Sequence, residues 1–253
     1  MQYCIETQGL EREFEGFWAV KDLDLKVERG CFYGFLGPNG AGKSTTIKML
    51  TGLLAPSSGS VSILGMDLVK DGLAIKQRIG VVPEELCVFE NLNGREYLTF
   101  IGRMYGLEKK VIAERCEELL TLMELKENEK TLVLEFSNGM RKKLAVAAAL
   151  IHDPELLFLD EPFEGLDAIA ARTLRLVLET YVKRGSTVFL TSHILDIVER
   201  LCTHVGIINE GTLVTQCSLA ELVQTGSLES AFIKAVGDID APPSSLSWLS
   251  ETV

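Results

Sequence analysis

The sequence predicts an α/β fold, a largely parallel sheet with helices packed on both faces. Apolar runs of strand length recur at Leu156 to Leu159, Thr187 to Thr191 and Val205 to Ile208. Helix-length stretches from Ile169 to Val182 and Ile194 to Leu201 separate them, the alternation that builds parallel sheets. Earlier in the chain a glycine-rich turn joins an apolar run to a helix-compatible segment.

Taken in order, Leu23, Leu25 and Val27 alternate with Asp24 and Lys26, which reads as a half-exposed strand. Cys31 to Leu36 is a short apolar run and a second strand. After the glycine-rich turn, Lys43 to Leu50 holds no breaker and reads as a helix. Val61 to Leu64 reads as a third strand, and Ile79 to Val82 as a fourth, stopped by Pro83. From about Asn93 to Leu150 the texture turns helical, with Ile112, Cys116, Leu119, Leu120 and Met123 on one helix face. This predicts an inserted helical subdomain, about 86–150, inside a domain of 1–225. Asn209-Glu210-Gly211 is the turn of a final hairpin, and Ser218 with Glu221 forms a capping box for a short helix. Residues 226–253 are expected to be a C-terminal extension, partly disordered where the Ser- and Pro-rich tail follows Gly237.

The 253 residues, 47% hydrophobic and 24% charged, suffice for one large domain with an insertion. A formal net charge of −11 repels nucleic acid and anionic membrane surfaces, so no nucleic-acid partner is expected. The six cysteines have no metal or disulfide spacing, which points to a reducing compartment. No signal peptide and no run of eighteen apolar residues is visible.

Gly37-Pro38-Asn39-Gly40-Ala41-Gly42-Lys43-Ser44, followed by Thr45, satisfies G-x-x-x-x-G-K-[ST] between a strand and a helix. In that setting, backbone N–H groups and the helix dipole cradle phosphates. Lys43 is then expected to reach the β- and γ-phosphates, and the Ser44 hydroxyl to ligate Mg²⁺. Leu156 to Leu159 ends in Asp160-Glu161, placing two carboxylates at the mouth of a buried strand, the edge where open α/β sheets bind ligands. Asp160 suits a metal, through water, and Glu161 suits orienting or deprotonating an attacking water.

The string from Ser137 to Asp167 resembles the stretch that distinguishes ABC ATPases among phosphate-loop proteins. Ser137-Asn138-Gly139-Met140 stands at the signature S-G-G-Q, Leu159 to Pro162 at the Walker B motif and Gly165-Leu166-Asp167 at the D-loop. His193, in Thr191-Ser192-His193, stands at the switch histidine. The resemblance covers roughly residues 3–225. It implies a P-loop NTPase, RecA-like core with a mostly parallel sheet, an antiparallel β subdomain and the helical insert.

It also implies a head-to-tail dimer in which ATP lies between one subunit's phosphate loop and the other's signature residues Ser137 and Gly139, with Asp167 of the D-loop also at the nucleotide. The dimer is either two copies of this chain or this chain with a related ATPase. His193 would hydrogen-bond the γ-phosphate, and Phe14 would stack on adenine, with Phe17 or Trp18 as alternatives. The signature Gln is replaced by Met140 and its first Gly by Asn138. Pro83-Glu84-Glu85 replaces a common Gln, leaving Glu84 as either a Mg²⁺ ligand or a solvated loop carboxylate.

The combination of Pro83-Glu84, the signature Phe136-Ser137-Asn138-Gly139-Met140 and the run from Glu161 to Asp167 looks like exporters with a separate permease chain. The implied function is ATP hydrolysis driving translocation by an integral membrane permease, docked around Glu85 to Leu107. The implied location is cytoplasmic, on the inner face of the cell membrane. The rivals are a soluble ABC ATPase, such as one for iron–sulfur assembly, and a module that binds ATP without turnover.

Overall fold

The computed structural model describes residues 2–237. The chain runs β1 (Tyr3–Phe14), β2 (Phe17–Leu23), β3 (Lys26–Glu28), β4 (Phe32–Leu36), α1 (Lys43–Leu50), β5 (Ser58–Ile63), β6 (Met66–Asp67), α2 (Gly72–Lys76) and β7 (Ile79–Val82). The helices α3 (Gly94–Met104), α4 (Lys109–Leu122) and α5 (Asn138–Leu150) follow. Then come β8 (Leu156–Leu159), α6 (Ala168–Lys183), β9 (Thr187–Ser192), α7 (Leu195–Leu201), β10 (His204–Asn209), β11 (Thr212–Ser218), α8 (Leu219–Thr225) and α9 (Leu228–Val236).

Among the described residues the strands form two sheets. One has the order β11-β10-β4-β9-β8-β7, with every neighbouring pair parallel except the β10–β11 hairpin. The other is antiparallel, with β1 paired to β2, β3 and β5, and β6 paired to β5.

The period of two along the parallel strands sorts the core into two clusters. Leu36, Leu157, Leu159, Val188 and Leu190 face the layer of α3 to α9. Tyr33, Phe35, Phe158 and Phe189 face α1 and the antiparallel sheet. On that second face Phe189 touches Tyr33, Phe35 and Phe158 at centroid distances of 5.4, 5.5 and 5.6 Å, one aromatic seam across β4, β9 and β8. The parallel sheet is therefore the middle of three layers.

The expected strand over Leu23 to Val27 is instead a break between β2 and β3. Leu23, Leu25 and Val27 are all buried, and the hydroxyl of Thr7 bridges the break, donating to Leu23 O and accepting from Leu25 N. The Glu210-Gly211 turn has φ of +47° and +81°, closing the β10–β11 hairpin, and the Ser218–Glu221 capping box starts α8. The ordered fold also continues past residue 225. In α9, Leu228 is buried in the helical cluster, and Asn209 donates to Ala235 O and Val236 O. The expected disordered tail after Gly237 lies outside the described residues.

All six cysteines are free thiols. Burial pushes Cys4 up to about 11 and Cys31 up to about 12, which keeps both protonated and unreactive near neutrality.

Candidate functional site

Parallel pairing brings the site together. Leu36 pairs with Ser192 and Ile207, and Leu159 with Val82 and Leu190, so the four strands β7, β8, β9 and β4 end in register. The residues just beyond those ends are Glu84, Asp160, Glu161, His193 and Gly37. A distance of more than a hundred residues in sequence collapses to one sheet edge.

At that edge the loop into α1 is built without side chains in the way. A Cβ on Gly37 would meet Ile208 O at 2.4 Å, and one on Gly42 would meet Ala19 O at 2.4 Å. Gly42 caps α1 in the left-handed region, at φ 107°, with no side-chain hydrogen bond and no acidic residue in the first turn. The positive end of the helix dipole and the first N–H groups are thus free for an anion. Lys43, buried, donates to Gly37 O at 2.8 Å and Pro38 O at 3.2 Å, which lays its ammonium across the loop mouth.

The carboxylates lie opposite. Glu161 Oε1 is 3.6 Å from Lys43 Nζ, is buried, and has no hydrogen-bond partner. Glu161 Oε2 is 3.1 Å from His193 Nδ1. Asp160 Oδ1 accepts from Thr191 Oγ1 at 2.6 Å, and Ser44 Oγ donates to Glu84 Oε2 at 3.2 Å. Burial pushes the Asp160 carboxyl above its usual range, while the hydroxyls of Thr191 and Ser44 hold it back.

Asp160, Ser44 and Glu84 form an oxygen-only set suited to a hard cation. Among the described residues no three carboxylate, imidazole or thiol groups converge into a protein-only metal site.

A cavity of about 400 Å³ opens over these groups, lined by Asn39, Gly40, Lys43, Ser44, Thr45 and His193 among others. Phe14 and Phe17, a cross-strand pair at the β1–β2 turn, stand on its wall with exposures of 41% and 64%. The Arg12 guanidinium covers one face of the Phe14 ring at 4.4 Å from its centroid. A half-exposed ring backed by a cation can offer its other face to a flat base.

Ser137, Gly139 and Asp167 do not line this cavity. Ser137 caps α5, its Oγ accepting from Met140 N at 3.2 Å. Asp167 caps α6, accepting from Ile169 N at 2.9 Å and Ala170 N at 2.8 Å. A Cβ on Gly139 would lie 3.7 Å from Leu166, so the signature turn and the D-loop touch each other.

Two residues that sequence reasoning missed hold Glu161 in place. The hydroxyl of Thr191, itself fully buried, accepts from Glu161 N at 2.9 Å while donating to Asp160. Lys142 Nζ donates to Glu161 O at 3.0 Å and also to Glu164 O. Thr191 reads in sequence as an ordinary strand former, though it opens the Thr191-Ser192-His193 string. Lys142 sits in a basic run, which reads as a solvated helix face.

The family model for the ABC transporter matches residues 20–164. The bacitracin transport ATP-binding protein BcrA of Bacillus licheniformis is 42% identical over 217 residues, 85% of this chain and 70% of that protein. The daunorubicin/doxorubicin resistance ATP-binding protein DrrA of Streptomyces peucetius is 38% identical over 219 residues, 87% of this chain and 66% of that protein. A solved structure of an ATP-binding subunit of an ABC transporter matches with a TM-score of 0.85 at 29% identity, covering 92% of this chain and 99% of that one.

Proposed function

The chain belongs to the ABC transporter family as an ATP-binding subunit, and from that membership we propose how its residues share the work of binding ATP, cleaving it and driving a permease. The loop of Gly37, Asn39, Gly40, Ala41, Gly42, Lys43, Ser44 and Thr45 binds the phosphates, and Phe14 stacks on adenine. Ser44, Asp160 and Glu84 would hold Mg²⁺, which would supply positive charge against the phosphate oxygens. Glu161 takes a proton from the attacking water, and His193 hydrogen-bonds the γ-phosphate.

One observation carries this reading. Glu161 Oε1 is buried at the floor of a phosphate cleft, beside Lys43, with no hydrogen-bond partner. An orphaned buried acceptor is costly, so its spare lone pair calls for a function. A base acting on water needs that lone pair.

Ser137, Gly139 and Asp167 complete the nucleotide site of a second ATPase subunit, either another copy of this chain or a related one. The permease docks in an apolar groove of about 370 Å³ between the core and the helical insert, lined by Leu53, Leu86, Val88, Tyr97, Ile101 and Tyr105 among others. Leu53 and Tyr105, 64% and 38% exposed, give the groove apolar surface open to solvent. Among the described residues no helix is long and apolar enough to cross a membrane. The permease then supplies the membrane path and holds this subunit at the inner, cytoplasmic face. The transport and resistance named for BcrA and DrrA favour export over the role of a soluble ABC ATPase.

Glu161→Gln keeps the shape and one acceptor oxygen while removing the base. ATP binding is expected to persist while phosphate release falls by about 10² or more. Turnover near that of the unaltered chain would put the base elsewhere.

A further inference from the structure

Lys142 is buried, 7% exposed, on the helix that Ser137 caps. Its neighbours in the basic run are otherwise engaged. Arg141 donates to Val133 O and Leu134 O, and Lys143 pairs with Glu124 at 2.9 Å. The hydrogen bonds of Lys142 go instead to two backbone carbonyls, those of Glu161 and Glu164.

Burying an ammonium is expensive, and a methionine or leucine would fill the same space at less cost. Burial accordingly pulls the Lys142 amine below its usual range, against the nearby charges of Glu164, Glu161 and Glu84. What a lysine adds here is a donor aimed at one turn.

That turn needs holding. Glu161 has φ +46°, in the left-handed region where a glutamate backbone is strained. Thr191 Oγ1 accepts from the N–H of Glu161 and Lys142 Nζ donates to its carbonyl. The peptide groups on both sides of its Cα are therefore held, which sets the direction in which the side chain leaves the backbone toward Lys43 and His193.

We propose that Lys142 is a positioning residue, which sets the aim of Glu161 from the signature helix and so makes that aim depend on where α5 sits. In the dimer read above, the N-terminus of α5 faces the partner's nucleotide, while Glu161 serves the chain's own. Lys142 then links the two nucleotide sites through one side chain. The inference rests on Glu161 being the base and on the signature acting across the dimer.

The test is a double-mutant cycle in the full chain. Lys142→Met keeps an unbranched side chain one atom shorter and removes both donated bonds. We expect kcat to fall by roughly ten- to a hundredfold, the scale of a misplaced catalytic group. Affinity in a fluorescent ATP titration should stay within about twofold, because no cleft contact is removed. In the Glu161→Gln background, the same substitution should change residual turnover by less than about twofold, since two lesions on one pathway do not add. Release of labelled phosphate over a long incubation measures that residue of activity. Lys142→Arg, which keeps the donors, should recover part of kcat.

A lysine that merely stabilised the fold would lower turnover by the same factor in both backgrounds, or weaken ATP binding, and either result overturns the proposal. So does an unchanged kcat. If Lys142→Met does not fold, Lys142→Gln goes through the same cycle and is read by the same outcomes. Near-normal turnover in Glu161→Gln alone removes the base assignment and this inference with it. Loss of turnover there, with none in Lys142→Met, removes only the inference.

Discussion

At the phosphate loop, the start of α1 and one oxygen of Glu161 have no side-chain hydrogen bond, whereas the starts of α5 and α6 are already capped by their own side chains. Gly42 brings no side-chain acceptor to α1, and Glu161 Oε1 has no hydrogen-bond partner. Ser137 and Asp167, by contrast, accept from the first turns of their own helices. Both regions are helix N-termini with the same dipole and the same surplus of N–H groups. The difference is what the sequence puts at the cap. A glycine leaves the terminus open for a ligand, and a serine or aspartate closes it locally. The phosphate-loop end is thus open at its helix start and is proposed to receive an anion within one chain, while the signature end has its cap filled by its own helix and is proposed to present its remaining surface to a partner.

The largest expected effect falls on the open end. Lys43→Ala removes the cation aimed at the proposed β- and γ-phosphate positions, and charge-assisted contacts of that kind contribute about 1.5–3 kcal/mol. Affinity for fluorescent ATP should fall by roughly ten- to a hundredfold. Equal affinity in the two proteins would mean that the open terminus is not the phosphate site, and the contrast between the ends would lose its basis.

The phosphate loop, Asp160, Glu161 and His193 were legible because strand ends and local strings mark them, and the parallel register does the rest. β1 was not legible. Its twelve residues mix Glu6, Gln8, Glu11 and Glu13 among the apolar ones, and register shifts against β2, β3 and β5 break the alternation that a pattern search needs. Thr191 and Lys142 were hidden for a related reason. Their roles come from neighbours thirty and nineteen positions away, Glu161 in both cases, and no local pattern encodes those contacts. The cap at Ser137 was readable as a helix start, but nothing in the sequence told that it would already be satisfied within its own chain.

A smaller, sharper effect tests whether the closed end works across a dimer. One preparation carries Lys43→Ala and another Ser137→Arg, which places a bulky side chain where a partner's γ-phosphate is proposed to sit. Either homodimer has two damaged sites. A mixed dimer has one site with both lesions and one with neither. Random pairing should then restore roughly a quarter of the normal ATPase rate in a two-fold dimer whose sites turn over independently. If the signature acted within its own chain, every site would stay damaged. Fluorescence transfer between labelled subunits confirms exchange, and with exchange confirmed a flat activity curve across mixing ratios would break the comparison at the signature end.

The smallest effect isolates the local half of the bargain at Asp167. Its Oδ1 accepts from Ile169 N and Ala170 N, and α6 carries Ala170, Leu174, Val177, Leu178 and Tyr181 into the core. Asp167→Ala removes the cap and should cost about 1 kcal/mol of stability. In a chain of this size that is about 2–4 °C in Tm. Asp167→Asn keeps an oxygen acceptor at the same place, so it should melt within about 1 °C of the unaltered chain while losing only the charge. The pair of variants separates the two duties, because capping needs the acceptor and a role at the partner's nucleotide is read in turnover. ATPase loss in Asp167→Asn without a change in Tm assigns the carboxylate a duty beyond its helix. A Tm for Asp167→Ala equal to that of the unaltered chain would show that the cap is not where this side chain spends its valence, and that the two ends of the site differ less than their geometry says.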